Sequence, residues 1–227
     1  MTDLTGRTVL IAGATSAPGL AATRALTAAG ARVVATGRDP GKLVALADLG
    51  ARTEVLDLAD EEAVVGLSGR LREDGTAVDG LLHLVGGWRG GGGLAGQTEA
   101  DYRALESSFT ALRHVTRAFD DALRASPAGR LAVVSSTAVA RPLAGGANYA
   151  AVKAATEAWT RAVAQGYAKA ARDAGEPLRA AAVVYRVKAL AGLEDRLADA
   201  VVGLWSADAA TINDSTLDLT DDTDGRR

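Results

Sequence analysis

The stretch Thr8-Val-Leu-Ile-Ala12, followed at once by Gly13-Ala-Thr-Ser-Ala-Pro-Gly19, decides the fold. An uncharged, mostly branched aliphatic run of this length predicts a strand covered on both faces. The turn behind it enters a helix, predicted over Gly19–Ala29 and stopped by Gly30 where a C-terminal glycine belongs. A strand that ends in such a turn aims backbone N–H groups and the positive helix end at one spot, which suits a pyrophosphate. Gly13 permits the tight turn and Gly19 a close approach. Pro18 sits in the first helical turn, where its missing N–H costs nothing, and Ser16 can cap the helix or donate to phosphate.

Outward from this unit, short β-rich runs alternate with helical patterns. Further strands are predicted at Arg32–Thr36, Arg52–Leu56, Gly80–Val85, Arg130–Ser135, Arg179–Tyr185 and Ser215–Leu219. A short helix opens at Asp39-Pro40, and longer ones are predicted at Glu61–Arg72, Glu99–Arg124, Tyr149–Ala174 and Leu193–Trp205. The second of these is the clearest, with Tyr102, Leu105, Phe109, Leu112, Val115, Phe119 and Leu123 spaced by threes and fours along one stripe. Strands separated by such helices imply βαβ units in a single-domain, doubly wound parallel sheet of about seven strands, with helices on both faces. That domain is expected to run over residues 1–220, with 221–227 a polar tail.

Composition bounds the chemistry. The 227 residues are 48% hydrophobic but only 4% aromatic, so the core must be built chiefly from Ala, Val and Leu. Lys and Arg number 25 against 28 Asp and Glu, a net charge of −3 that offers no overall attraction to a nucleic-acid backbone. Cysteine is absent, which excludes disulfides, thiolate metal sites and cysteine nucleophiles, and two histidines make a histidine-rich metal site an unexpected feature. The start shows no basic segment followed by an apolar one, and no run is long enough for a membrane span. A cytoplasmic protein without membrane or nucleic-acid partners is expected.

Later in the chain, Ser136 ends a buried strand thirteen residues before Tyr149, and Tyr149 and Lys153 are four apart on one helix face. A phenol with an ordinary pKa of about 10 shuttles protons poorly at neutral pH, and a neighbouring ammonium favours its ionised form.

These residues and the glycine turn resemble the short-chain dehydrogenase/reductase family over about residues 4 to 219. The resemblance implies a Rossmann-like fold and a nicotinamide cofactor. Ser136, Tyr149 and Lys153 would then be the catalytic triad, with Lys153 also holding the nicotinamide ribose. Gly13, Thr15, Ser16, Ala17, Pro18 and Gly19 would cradle the pyrophosphate, Ala17 standing where the family has a glycine. Arg38, after Gly37 at the end of the second strand, stands where an NAD enzyme carries an acid, which favours NADP(H) over NAD(H). Asp57 and Leu58 would touch the adenine, and Val85 and Gly86 would flank the cofactor beyond the fourth strand. The family's fourth catalytic residue, an Asn, aligns with Ser108.

Tyr185-Arg186 replaces the family's Pro-Gly, and the segment that covers substrate is cut to Val187–Gly192. The run Gly86-Gly-Trp-Arg-Gly-Gly-Gly-Gly93 is a candidate lid, with Trp88 and Arg89 closing over a planar or anionic substrate. Arg141, Asn148 and Tyr185 complete the expected substrate pocket. The reading is an NADP(H)-dependent reductase or dehydrogenase interconverting a ketone and a secondary alcohol on a small organic or secondary-metabolite substrate. Non-redox acid/base chemistry on the same fold, or nucleotide binding without turnover, is the alternative. The resemblance also implies a homodimer or homotetramer through the two longest helices.

Overall fold

The computed structural model describes residues 2–219; the predicted polar tail lies outside them. Seven strands form one parallel sheet in the order β3-β2-β1-β4-β5-β6-β7. They are β1 (Thr8–Ala12), β2 (Arg32–Gly37), β3 (Arg52–Val55), β4 (Gly80–His83), β5 (Arg130–Ser136), β6 (Ala181–Val187) and β7 (Ser215–Asp218). The helices are α1 (Ala17–Ala28), α2 (Pro40–Ala47), α3 (Glu61–Glu73), α4 (Glu99–Ala125), α5 (Ala147–Ala174), α6 (Glu194–Gly203) and α7 (Ala209–Ile212). The chain is a Rossmann-like α/β fold, and among the described residues no helix is long and apolar enough to cross a membrane.

Strand periodicity splits the core into two layers. On β1, Val9 and Ile11 pack beneath α1, α2 and α6, joining Ala22, Leu26, Leu43, Leu46, Leu197 and Val201. Leu10 and Ala12 face the other way, toward α3, α4 and α5 and the layer of Leu67, Leu112, Val115, Phe119, Ala164 and Tyr167. With both faces covered, the central strands read as continuous apolar runs.

Strand order reverses between β1 and β4, and a crevice opens at the carboxyl ends of the strands there. Most boundaries fall within two residues of the predicted ones. The largest difference is β6, which begins at Ala181 and continues through Arg186 to Val187. Glu157 on α5 neutralises that arginine, so the charge does not end the strand.

Candidate active site

The cleft at this edge measures 1210 Å³ and takes residues from the turn that leads from β1 into α1, from the ends of β4, β5 and β6 and from the start of α5. On the β1 side, Gly13 has φ +82°, and a Cβ there would stand 3.0 Å from the Val85 backbone nitrogen. Only glycine fits both the conformation and the space. Ser16 caps α1: its Oγ accepts from Gly19 N–H and donates to Gly13 C=O, both at 3.2 Å. Ala17 and Pro18 occupy the first turn, with the Ala17 side exposed.

Gly19 has a different task from the expected one. A Cβ there would run into the Ala14 backbone, so its missing side chain lets α1 close on the strand rather than admit a ligand. Gly37 likewise makes room for Thr15, whose methyl would lie 2.6 Å from a Cβ. Arg38 is exposed just beyond the end of β2, with its guanidinium 4.0 Å from the Asp57 carboxylate. Asp57 accepts from Ala59 N–H, and Leu58 is buried with its carbonyl 3.2 Å from the His114 ring nitrogen. A capped glycine turn, a helix N-terminus with donors to spare and an exposed guanidinium fit a phosphorylated dinucleotide. Gly13, Ser16, Ala17 and Pro18 would hold its pyrophosphate.

Ser136, Tyr149 and Lys153 all line the cleft. Ser136 closes β5, buried, and its Oγ accepts the Ala138 N–H at 3.1 Å, which leaves the hydroxyl proton to donate elsewhere. Tyr149 lies in the first turn of α5, and Lys153 one turn on places Nζ 5.8 Å from the Tyr149 ring centre. The ammonium donates to the Val134 carbonyl at 2.8 Å. Burial pushes Lys153 down to about 8, with the Glu157 carboxylate opposing that shift. A Cβ on Gly86 would stand 3.5 Å from Nζ, so the β4 loop borders the ammonium closely.

His83 at the end of β4 also lines the cleft. Burial, with the Lys153 charge adding to it, pushes the imidazole down to about 3, so it is neutral at working pH. Its Nε2 sits 3.2 Å from the Ser108 carbonyl. The Ser108 hydroxyl, expected to assist catalysis, donates to Leu105 C=O at 2.6 Å within its own helix and does not line the cleft.

The substrate side departs further from expectation. Trp88, 66% exposed, and Arg141 line the cleft, as does Leu143, 73% exposed. Arg89 does not, and stands 3.9 Å from Asp101 on α4. Asn148 serves structure: its amide donates to Thr98 C=O at 3.3 Å and its backbone N–H to Gln97 Oε1 at 3.2 Å. The assignment of Tyr185 to the pocket is corrected. With β6 extended to Val187, Tyr185 falls on the α6 face, 1% exposed, and its hydroxyl donates to Ala200 C=O at 2.9 Å.

Gln97 and Glu157 were not legible as site supports. Gln97 donates to carbonyls on two loops, and Glu157 is buried between Ser135 and Arg186. A faint signal existed for Glu157, which lies one helical turn beyond Lys153.

Among known proteins, the chain matches the family model of short chain dehydrogenases over residues 7–171. It is 34% identical over 169 residues to nodulation protein G of Rhizobium meliloti (strain 1021), covering 73% of this chain and 69% of that protein. A shorter likeness, 42% over 91 residues, is to a proposed daunorubicin C-13 ketoreductase, DnrU, of Streptomyces sp. (strain C5); it covers 37% of this chain and 32% of that one. Among solved structures, the NADPH-bound short chain oxidoreductase of Pseudomonas aeruginosa PAO1, described as containing an atypical catalytic center, superposes with a TM-score of 0.83. The two chains cover each other fully at 19% identity, a likeness of fold. The family match spans most of the chain and coincides with the capped glycine turn and the serine, tyrosine and lysine of one cleft, so the protein belongs to the short chain dehydrogenases, a family of NAD(P)-dependent oxidoreductases.

Proposed function

We propose that this protein is an NADP(H)-dependent reductase or dehydrogenase that interconverts a ketone and a secondary alcohol on a small organic or secondary-metabolite substrate. One observation carries the reading: Ser136, Tyr149 and Lys153 share a cleft with the capped turn at Ser16 and Pro18. When bound, the nicotinamide cofactor supplies the hydride for reduction and takes it back in oxidation. The chain's own residues handle the proton. Tyr149 gives its hydroxyl proton to the carbonyl oxygen, and Ser136 donates a hydrogen bond to the same oxygen as charge gathers there. Lys153 holds a positive charge beside the phenol and favours its ionised form once the proton has left.

Arg38 supports NADP(H), because an exposed guanidinium can grip a 2′-phosphate with two parallel hydrogen bonds. The ketoreductase named among the relatives supports a carbonyl substrate. We further propose a cytoplasmic enzyme that pairs or forms tetramers through α4 and α5. The test is NADPH consumption by the purified protein with a panel of ketones, alongside Tyr149→Phe. The expected result is turnover that falls roughly 10²–10⁴-fold in the variant, with NADPH affinity retained. Failure of the protein to bind or oxidise any nicotinamide cofactor would overturn the reading.

A further inference from the structure

We propose that the cleft selects carbonyl compounds that carry an apolar, planar body and an anionic group, and that Arg141 is the residue that reads the anion. The inference rests on the carbonyl-reductase reading and names the substrate class for it.

The charge of the cleft is one-sided. Arg141, Lys153 and Lys188 line it, and among its described lining residues none is Asp or Glu. The chain as a whole carries more acids than bases, 28 against 25, so this wall is not a sample of the surface. The three cations differ in what is left for them to do. Lys153 is committed to the Val134 carbonyl and to the phenol beside it. Lys188 follows directly on β6, on the segment between Val187 and Ala191. Arg141 lies on the loop between Ser136 and Tyr149, on the substrate side of the triad, and is exposed. Among the described residues it is paired with no carboxylate, whereas Arg89, the other arginine of this side, is held by Asp101 outside the cleft. A planar guanidinium with several free N–H groups suits a carboxylate gripped by two parallel bonds.

The apolar half of the claim comes from Trp88 and Leu143, large side chains left 66% and 73% exposed where they line the cleft. They stand on one braced wall and not on two loose loops. Gly91 N–H donates to Gly145 C=O at 2.7 Å, and Gln97 Nε2 lies 3.0–3.2 Å from the carbonyls of Gly91, Gly93 and Gly145. At Gly90, a Cβ would meet the Gly145 carbonyl and, at 3.2 Å, the Trp88 ring. The backbone that carries the indole is thereby held next to the loop that carries Arg141 and Leu143. A flat apolar body can rest on the indole while an anionic arm reaches the arginine.

The probe pair is 4-oxo-4-phenylbutanoate and its methyl ester, which share a ketone and an aryl ring and differ in charge. Binding is measured by calorimetry, with and without saturating NADP⁺. The acid is expected to bind about tenfold more tightly than the ester, the worth of one charge-assisted contact. Arg141→Gln should bring the acid down to the ester's affinity, and Arg141→Lys should retain part of the preference. Trp88→Ala should weaken both probes by a similar factor. Equal affinity for acid and ester in the native protein overturns the proposal, as does a preference that survives in Arg141→Gln. Displacement of the acid by NADP⁺ also overturns it, because the cations would then belong to the cofactor's phosphates. NADPH oxidation is scored separately, with the two probes and the ketone panel together: an intact acid preference in a protein that oxidises no nicotinamide cofactor with any of them sinks the reductase reading and leaves the anion site standing.

Discussion

Arg186 on β6 donates to both carboxylate oxygens of Glu157 on α5, at 2.8 and 2.6 Å, and Ser135 Oγ donates to the same carboxylate at 2.7 Å. One buried acid thus joins β5, α5 and β6, the strand that ends in Ser136, the helix that carries Tyr149 and Lys153, and their neighbour. Burial opposes ionisation of Glu157, but the bonds from Arg186 and Ser135 outweigh it and hold the carboxyl below its ordinary 4.5. A depressed carboxylate contributes stability that is complete above its unfolded pKa and lost as pH falls through the folded one. Glu157→Gln should therefore cost about 3 kcal/mol at neutral pH, near the low end for a broken buried pair because Arg186 keeps part of its surface in water. Urea unfolding at several pH values checks this. The native protein should lose more stability than the variant as pH drops below about 4.5.

The Gln97 amide makes a second prediction. It spans two glycine-rich loops that have few side chains of their own to hold them, and its Oε1 accepts from Asn148 N–H at the start of α5. Gln97→Ala removes these bonds at a partly buried point, where water replaces much of what each contributes. The effect should be local: a global stability change within about 1 kcal/mol, faster amide exchange over residues 86–96, and a KM raised roughly five- to tenfold with kcat less affected. Hydrogen exchange and steady-state kinetics read both.

Much of this was legible in the sequence. The sheet follows from uncharged runs separated by amphipathic helices, since a strand buried on both faces has few other ways to be written. Tyr149 and Lys153 were legible as a pair because a helical i,i+4 step puts them on one face, and the resemblance to the short-chain dehydrogenase/reductase pattern joined the strand-end Ser136 to them. Tyr185 was not. Period-two alternation assigns its face only once the strand's extent is known, and Arg186 looked like the end of the strand because its partner Glu157 is 29 residues away. The glycine run from Gly86 to Gly93 reads as floppy for the same reason: the Gly145 and Gln97 groups that brace it are contributed from elsewhere in the chain.

Arg38 offers a test of cofactor choice that does not depend on substrate. It is exposed and its ion pair with Asp57 spans 4.0 Å, so the guanidinium costs little to redirect toward a 2′-phosphate. Arg38→Ala should weaken NADPH binding by about tenfold or more and change NADH binding by less than twofold or so. Fluorescence titration with both cofactors decides it. Equal losses for the two would mean that Arg38 stabilises the turn and does not read the phosphate.

Under the proposed mechanism, the ammonium of Lys153 should set the alkaline limit of carbonyl reduction. Burial lowers it to about 8, against the pull of Glu157, and the neighbouring His83 at about 3 stays neutral throughout the working range. Below pH 8 the charge that favours the Tyr149 phenolate is present. Above it the lysine is neutral, and kcat/KM for ketone reduction should fall by about tenfold per pH unit. A limb at this position could come from several groups, so the assignment needs a variant. Lys153→Arg keeps its charge throughout the alkaline range, and whatever activity it retains should be flat between about pH 7 and 10. If the limb persists unmoved in that variant, the titrating group is not Lys153, and the role assigned here to the α5 ammonium falls with it.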